Sequence, residues 1–159
     1  MIEKTLVLIK PDGLLKSLTG NILTTLSEAK LKIVASKVVK VSRELAERHY
    51  KDLKNNQIKK HGEERGLEIF ENTLNYIQGK FHTERVLALV YSGEDAVNKI
   101  RYLAGETNPE KAHPTSIRGK YGRINSETQI FENVVHCSES VGEAEREIAL
   151  WFRPEEIVE

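Results

Sequence analysis

One cysteine, Cys137, stands in 159 residues, with one methionine, one tryptophan and four prolines. A lone thiol closes no internal disulfide and builds no thiolate metal site, so a reducing compartment, the cytoplasm, is the expected location. No apolar run approaches the roughly 18–20 residues that span a bilayer, so no membrane-spanning helix is expected. Met1-Ile2-Glu3-Lys4 reads as the start of a strand, not as a leader peptide. Net charge is missing as well: 24 Lys and Arg balance 24 Asp and Glu. Without a global excess of cations, counterion release cannot drive binding to a long polyanion, so neither nucleic acid nor a membrane surface is expected as a partner.

What is present is ordinary globular material, 39% hydrophobic and 30% charged. A chain of this length suits one domain over residues 1–159 with one core. The zero net charge hides an asymmetry. Residues 1–100 carry 17 positive and 13 negative side chains, residues 101–123 five and two, and residues 124–159 two and nine. A cationic stretch therefore precedes an acidic end.

Thr5-Leu-Val-Leu-Ile9 is a continuous apolar run ended by Lys10-Pro11-Asp12-Gly13, which predicts a buried central strand with Lys10 at its end. Helical spacing of Ile22, Leu23, Leu26 and Ala29 predicts a helix over about 19–30. A second strand follows near Ile33–Val41, then a helix opened by Ser42 that carries His49 and Tyr50. Residues 54–69 are too polar for core, and a helix is expected only from about Leu67 to Ile77. Val86–Tyr91 reads as a buried strand and Val97–Leu103 as a helix. Residues 104–128 show little periodicity, and a loop of that length inside a domain is usually functional or disordered. Val134-Val135 is a last strand, and Ser140-Val-Gly-Glu143 is a capping-box signature opening a helix that Pro154 stops. Strands alternating with helices on one face fit a two-layer α+β sandwich of the ferredoxin-like type, a four-stranded antiparallel sheet covered by helices.

His136 ends an apolar strand before a capped helix. A neutral imidazole is a competent nucleophile near pH 7 if an acceptor on its far nitrogen fixes the tautomer. Glu147 is the candidate acceptor, with Ser140 on the same helix face to orient it. Arg101, Arg118, Lys120 and Arg123, with Thr107 between them, could hold a polyphosphate through guanidinium forks, and Lys10 could add a point charge. The glycine spacing of a P-loop is missing, and no His, Cys and Asp pattern has metal-ligand spacing.

Lys10-Pro11-Asp12, His49-Tyr50, Gly105-Glu-Thr107-Asn108-Pro109, Ile117-Arg118-Gly119, Asn133-Val-Val-His136-Cys-Ser-Glu-Ser140 and Ala144-Glu-Arg-Glu147 occur in an order that resembles the nucleoside diphosphate kinases over nearly the whole chain. The resemblance implies transfer of a γ-phosphoryl group between nucleotides through a phosphohistidine on His136. Glu147 and Ser140 would support that ring and Tyr50 would lie beside it. Lys10, Arg101, Thr107, Arg118 and Asn133 would hold phosphates and ribose. Mg²⁺ would arrive on the nucleotide, with no metal ligands from the protein. The partners it implies are nucleoside di- and triphosphates and further copies of the chain, in hexamers or tetramers.

The chain also departs from that family. Cys137 and Glu139 stand where Gly and Asp are usual, and Phe131-Glu132 replaces a Gly-Arg pair. Extra residues fall around 54–69, 80–84 and 119–132. The side chain that stacks on the base is expected to be Phe70, with Ile69 and Ile58 as alternatives. A nucleotide-binding relative without turnover is the competing reading. A ferredoxin-like nucleic-acid module would need exposed sheet aromatics, for which only Tyr91 and Phe81 are near.

Overall fold

A computed structural model describes all 159 residues. Strand β1 (Ile2–Ile9) lies inside the sheet, and its residues Thr5–Ile9 are buried. It pairs antiparallel with β3 (Val86–Glu94) on one side and with β6 (Val135–Cys137) on the other. Strand β2 (Lys32–Val39) pairs antiparallel with β3, giving the order β2-β3-β1-β6. Helix α1 (Pro11–Leu15) and helix α2 (Thr19–Leu26) follow β1. The apolar period that extends to Ala29 is met by a 3₁₀ turn over Ser27–Ala29.

Alternation along the strands sorts the core into two halves. Leu6 and Leu8 face one way with Val86, Ala88 and Val90, whereas Val7 and Ile9 face the other way with Leu89 and Tyr91. The second half is covered by α2, by α6 (Ala96–Ala104) and by α7 (Ile117–Tyr121). The first half is covered by α3 (Arg43–His49), α5 (Glu63–Ile77) and α8 (Val141–Trp151). The β1-α2-β2-β3-α6-β6 path is the expected ferredoxin-like unit. Helices lie on both sheet faces, however, not on one. The added helices close the face that a bare two-layer unit leaves open.

The segment read as polar and irregular is a helical hairpin. Helix α4 (Leu53–His61) buries no residue and turns at Gly62, φ +86°, into α5. The sequence shows no apolar stripe there because α4 rests mainly on α5 and only Leu53, partly buried, packs against the core. The backbones meet closely at Gly66, where a Cβ would fall 2.5 Å from the Ile58 backbone. The long stretch after α6 is also partly ordered: Ser116 caps α7 by accepting from Gly119 N, and β4 (Arg123–Ile124) pairs with β5 (Phe131–Glu132).

Candidate active site

Register places the candidate nucleophile. His136 is opposite Leu8, so its side chain shares the sheet face that α8 covers. Cys137 is opposite Val7 and packs into the other half of the core, away from the imidazole. Burial pushes the Cys137 thiol up, although Arg118 and Arg101 oppose it.

The turn into β6 is strained at Val134. Val134 is β-branched yet has φ +60°, and Val135 N–H donates across it to Asn133 O at 2.7 Å, a tight γ-turn. Lys10 N donates to Val134 O at 2.8 Å, and Val134 N donates to Asp12 Oδ2. Tyr76 Oη donates to Asp12 Oδ1 at 2.6 Å. Asp12 is fully buried, and its pairing pins the strained turn to the start of α1. Sequence reading assigned Asp12 and Tyr76 no part in this.

Helix α8 turns Ala144, Glu147, Ile148 and Trp151 inward at helical spacing. Glu147 Oε2 thereby comes 2.8 Å from His136 Nε2, a short contact that is bent away from an aligned N–H···O bond. Nε2 is the buried nitrogen, so Nδ1 is left for the cleft that His136 lines. Burial would raise the pKa of Glu147. His136 outweighs it, with Ser138 and Arg146, and holds the carboxylate below its usual range.

Ser140 does not support Glu147. It is exposed and caps α8 by accepting from Glu143 N at 3.1 Å. Seven residues of helix carry Glu147 about 10 Å along the axis, beyond a hydroxyl's reach. Ser138 has that position instead. It is fully buried, accepts from Leu6 N at 3.1 Å and keeps its own proton for the carboxylate. Its signal was in the sequence, since residues two apart on a strand share a face.

The cations converge from three elements. Lys10 follows β1, Arg101 lies in the last turn of α6 and Arg118 in α7, and all three line one cleft of about 440 Å³ with His136, Thr107 and Asn133. Asn133 accepts from Lys10 Nζ at 2.9 Å and donates to Thr107 O at 2.9 Å. Arg118 gives Nε and Nη2 to Val135 O and Nη1 to Gly105 O. These bonds fix the guanidinium in the wall of the cleft and satisfy a carbonyl on the open edge of β6. Gly119 lets α7 press against the preceding loop, since a Cβ there would fall 2.0 Å from His113 O. Lys120 and Arg123 stand apart: Lys120 lines another groove, and Arg123 pairs with Glu132.

Burial lowers the Lys10 pKa to about 7, and Arg118 adds to the effect against Asp12 and Cys137. Tyr50 lines the same cleft, and burial with the Glu147 charge raises its hydroxyl pKa. Phe70 is not in the cleft. It is 7% exposed and packs in the core among α3, α5 and α8, with the Arg43 guanidinium over its ring. The helical hairpin turned that position inward. Leu53 and Asn56 of α4 line the cleft instead.

The only grouped metal-ligand atoms are those of His49, His136 and Glu147, within 4.8 Å of one another. That nitrogen-rich set is unlike the oxygen cage a hard cation prefers. The arrangement as a whole can bind several phosphate oxygens and present one imidazole nitrogen to them.

The nucleoside diphosphate kinase family model matches residues 3–157. A nucleoside diphosphate kinase from Desulfitobacterium hafniense is 40% identical over 156 residues, 98% of this chain and 91% of that one. The crystal structure of an NDP kinase from Pyrobaculum aerophilum is 34% identical, with TM-score 0.86 over all of both chains. A transition-state mimic of the Borrelia burgdorferi enzyme, with bound vanadate and ADP, is 30% identical with TM-score 0.84 over 99% of this chain and 91% of that one. Agreement in sequence and in fold runs the length of the chain, which belongs to the nucleoside diphosphate kinase family.

Proposed function

We propose that the protein transfers the γ-phosphoryl group of a nucleoside triphosphate to a nucleoside diphosphate in two steps, with His136 Nδ1 as the intermediate acceptor. The single observation that carries this is the Glu147 carboxylate at the far nitrogen of a cleft-lining imidazole. In the first step the Nδ1 lone pair forms the N–P bond as the bond from phosphorus to the bridging oxygen breaks. The diphosphate leaves with that electron pair. The Nε2 proton stays on the ring, where Glu147 offsets the positive charge that develops. In the second step a terminal phosphate oxygen of the acceptor takes the group and the N–P bond breaks. One cleft serves both nucleotides in turn.

The cations supply what phosphoryl transfer asks of a protein, namely in-line positioning and charge around the equatorial oxygens. Arg101, Arg118 and Thr107 hold the phosphates, Lys10 and Asn133 the ribose and inner phosphates, and Tyr50 flanks the acceptor ring. Mg²⁺ fits as a passenger on the nucleotide, because the cleft offers it cations and one nitrogen-rich group. Its chemistry when bound is to neutralise charge on the phosphate oxygens.

Assembly into hexamers or tetramers is part of the proposal. Support comes from β2, an edge strand with Ile33 51% and Val38 64% exposed, since such an edge is normally covered. No helix is long and apolar enough to cross a membrane. Incubation with γ-labelled ATP is expected to leave an acid-labile, base-stable phosphate on the protein, lost in His136→Ala. Undiminished labelling of that variant would overturn the assignment.

A further inference from the structure

We propose that His49 is a positioning residue for His136: locked as one neutral tautomer by Trp151, it braces the ring and the Glu147 carboxylate so that Nδ1 faces the γ-phosphorus unprotonated. This rests on His136 as the phosphoryl acceptor.

The argument begins with hydrogen-bond chemistry. Trp151 Nε1 lies 3.0 Å from His49 Nδ1, and both side chains are buried. An indole N–H can only donate, so His49 Nδ1 must present a lone pair. A neutral imidazole then carries its proton on Nε2. The doubly protonated ring would set N–H against N–H, so the indole selects against the charge as well as against the other tautomer.

That Nε2 lies 3.9 Å from Glu147 Oε2, the same oxygen that His136 Nε2 meets at 2.8 Å. The carboxylate therefore faces two imidazole N–H groups, one in close contact and one in support. The two rings also touch edge to face, with centroids 4.5 Å apart and planes at 77°. Rotation of His136 about its ring axis would drive it into His49. Packing thus fixes the direction of Nδ1 while the shared carboxylate fixes which nitrogen holds the proton.

The surroundings agree. Burial, aided by the positive charges of Lys10 and Arg146, keeps His49 neutral. The groups facing it are Tyr50 from its own segment, His136 from β6, and Glu147, Arg146 and Trp151 from α8. Arg146 Nη2 donates to His49 O at 3.0 Å and ties the end of α3 to α8. The same lock leaves the three clustered side chains poorly suited to a cation. The His49 nitrogen turned toward Glu147 carries a proton and offers no lone pair.

The test uses the full chain with γ-labelled ATP and long-range ¹H–¹⁵N correlation of the histidines. Wild type is expected to show His49 and His136 each as a single Nε2–H tautomer. His49→Phe keeps a ring but loses both nitrogens. Trp151→Phe removes the N–H that fixes the tautomer and keeps an aromatic ring at that core position. Both are expected to mix the His136 tautomers and to slow single-turnover labelling by about 100-fold, the scale of a misplaced reacting group. ATP affinity should stay within a factor of about two, and His49→Gln, which can accept and donate, should restore most of the rate. Labelling within two-fold of wild type in Trp151→Phe, or an unchanged His136 tautomer in either variant, overturns the role of His49. Persistent labelling of His136→Ala would instead overturn the acceptor, and the two failures are read from different variants.

Discussion

A lysine 7% exposed and facing an arginine holds its proton weakly. Lys10 is displaced from 10.5 to about 7 chiefly by burial, so at pH 8.5 it is mostly neutral in the free protein. A bound triphosphate favours the charged form, so binding should draw a proton from solvent. Calorimetric titration with ADP at pH 8.5, in buffers of different ionisation enthalpy, is expected to report uptake approaching one proton. Lys10→Gln should report none, and equal heats in all buffers for wild type would refute the account. Stability carries the same sign. Between about 7 and 10.5 the unfolded chain binds this proton and the folded chain does not, so stability contributed by Lys10 rises with pH across that window. Which residues enter the site was largely legible at this scale, because charged side chains at strand ends and in a cationic stretch have few other uses. The error over Ser140 came from choosing the wrong periodicity: helix spacing was applied where strand alternation places Ser138. Phe70 shares the helical spacing of Leu74 and Ile77, which puts it in the core, whereas its place in the chain relative to the family suggests the base site.

Elements were legible where burial leaves a pattern. β1 and β3 are continuous apolar runs because helices cover both faces of the sheet, and α8 announces itself by its cap and inward stripe. Helix α4 has no fully buried residue, so no hydrophobic period could reveal it, and yet it supplies Leu53 and Asn56 to the cleft. Its placement depends on Gly66, where α5 meets the Ile58 backbone with no room for a Cβ. Gly66→Ala should prise α4 from α5 at a cost of about 1–3 kcal/mol, the usual range for overpacking. Because α5 keeps its own core contacts, the loss should show first at the cleft wall. Nucleotide KM is expected to rise while the rate of His136 labelling at saturating ATP stays near wild type. A variant that lost labelling and kept KM would show that the hairpin acts on the chemistry and not on binding.

Across the molecule, balanced charge conceals a division of labour. Lys10 meets Arg101 and Arg118 in one cleft from a distant stretch of chain, so neutrality overall is compatible with a small, highly charged ligand. The acidic end supplies Glu147 to the imidazole and Glu132 to the chain's own added hairpin. Glu132 is 1% exposed and meets His82 Nε2 at 3.2 Å, Arg123 Nε at 3.0 Å and Asn125 Nδ2 at 2.8 Å. Burial opposes its charge, but those donors outweigh burial and hold its pKa below the usual 4.5, as His136 does for Glu147. For carboxylates lowered in the folded state, the stabilisation is complete above the unfolded pKa and is lost as pH falls through the folded one. Urea unfolding should therefore weaken progressively below about pH 4.5. Glu132→Gln keeps the shape and removes the charge, leaving buried donors poorly matched, and is expected to cost about 1–3 kcal/mol at pH 7. That deficit should shrink as pH falls further below 4.5 and Glu132 itself takes up a proton. A deficit that stayed constant from pH 7 to pH 3 would mean that Glu132 acts through packing, and that the hairpin is not held by its charge.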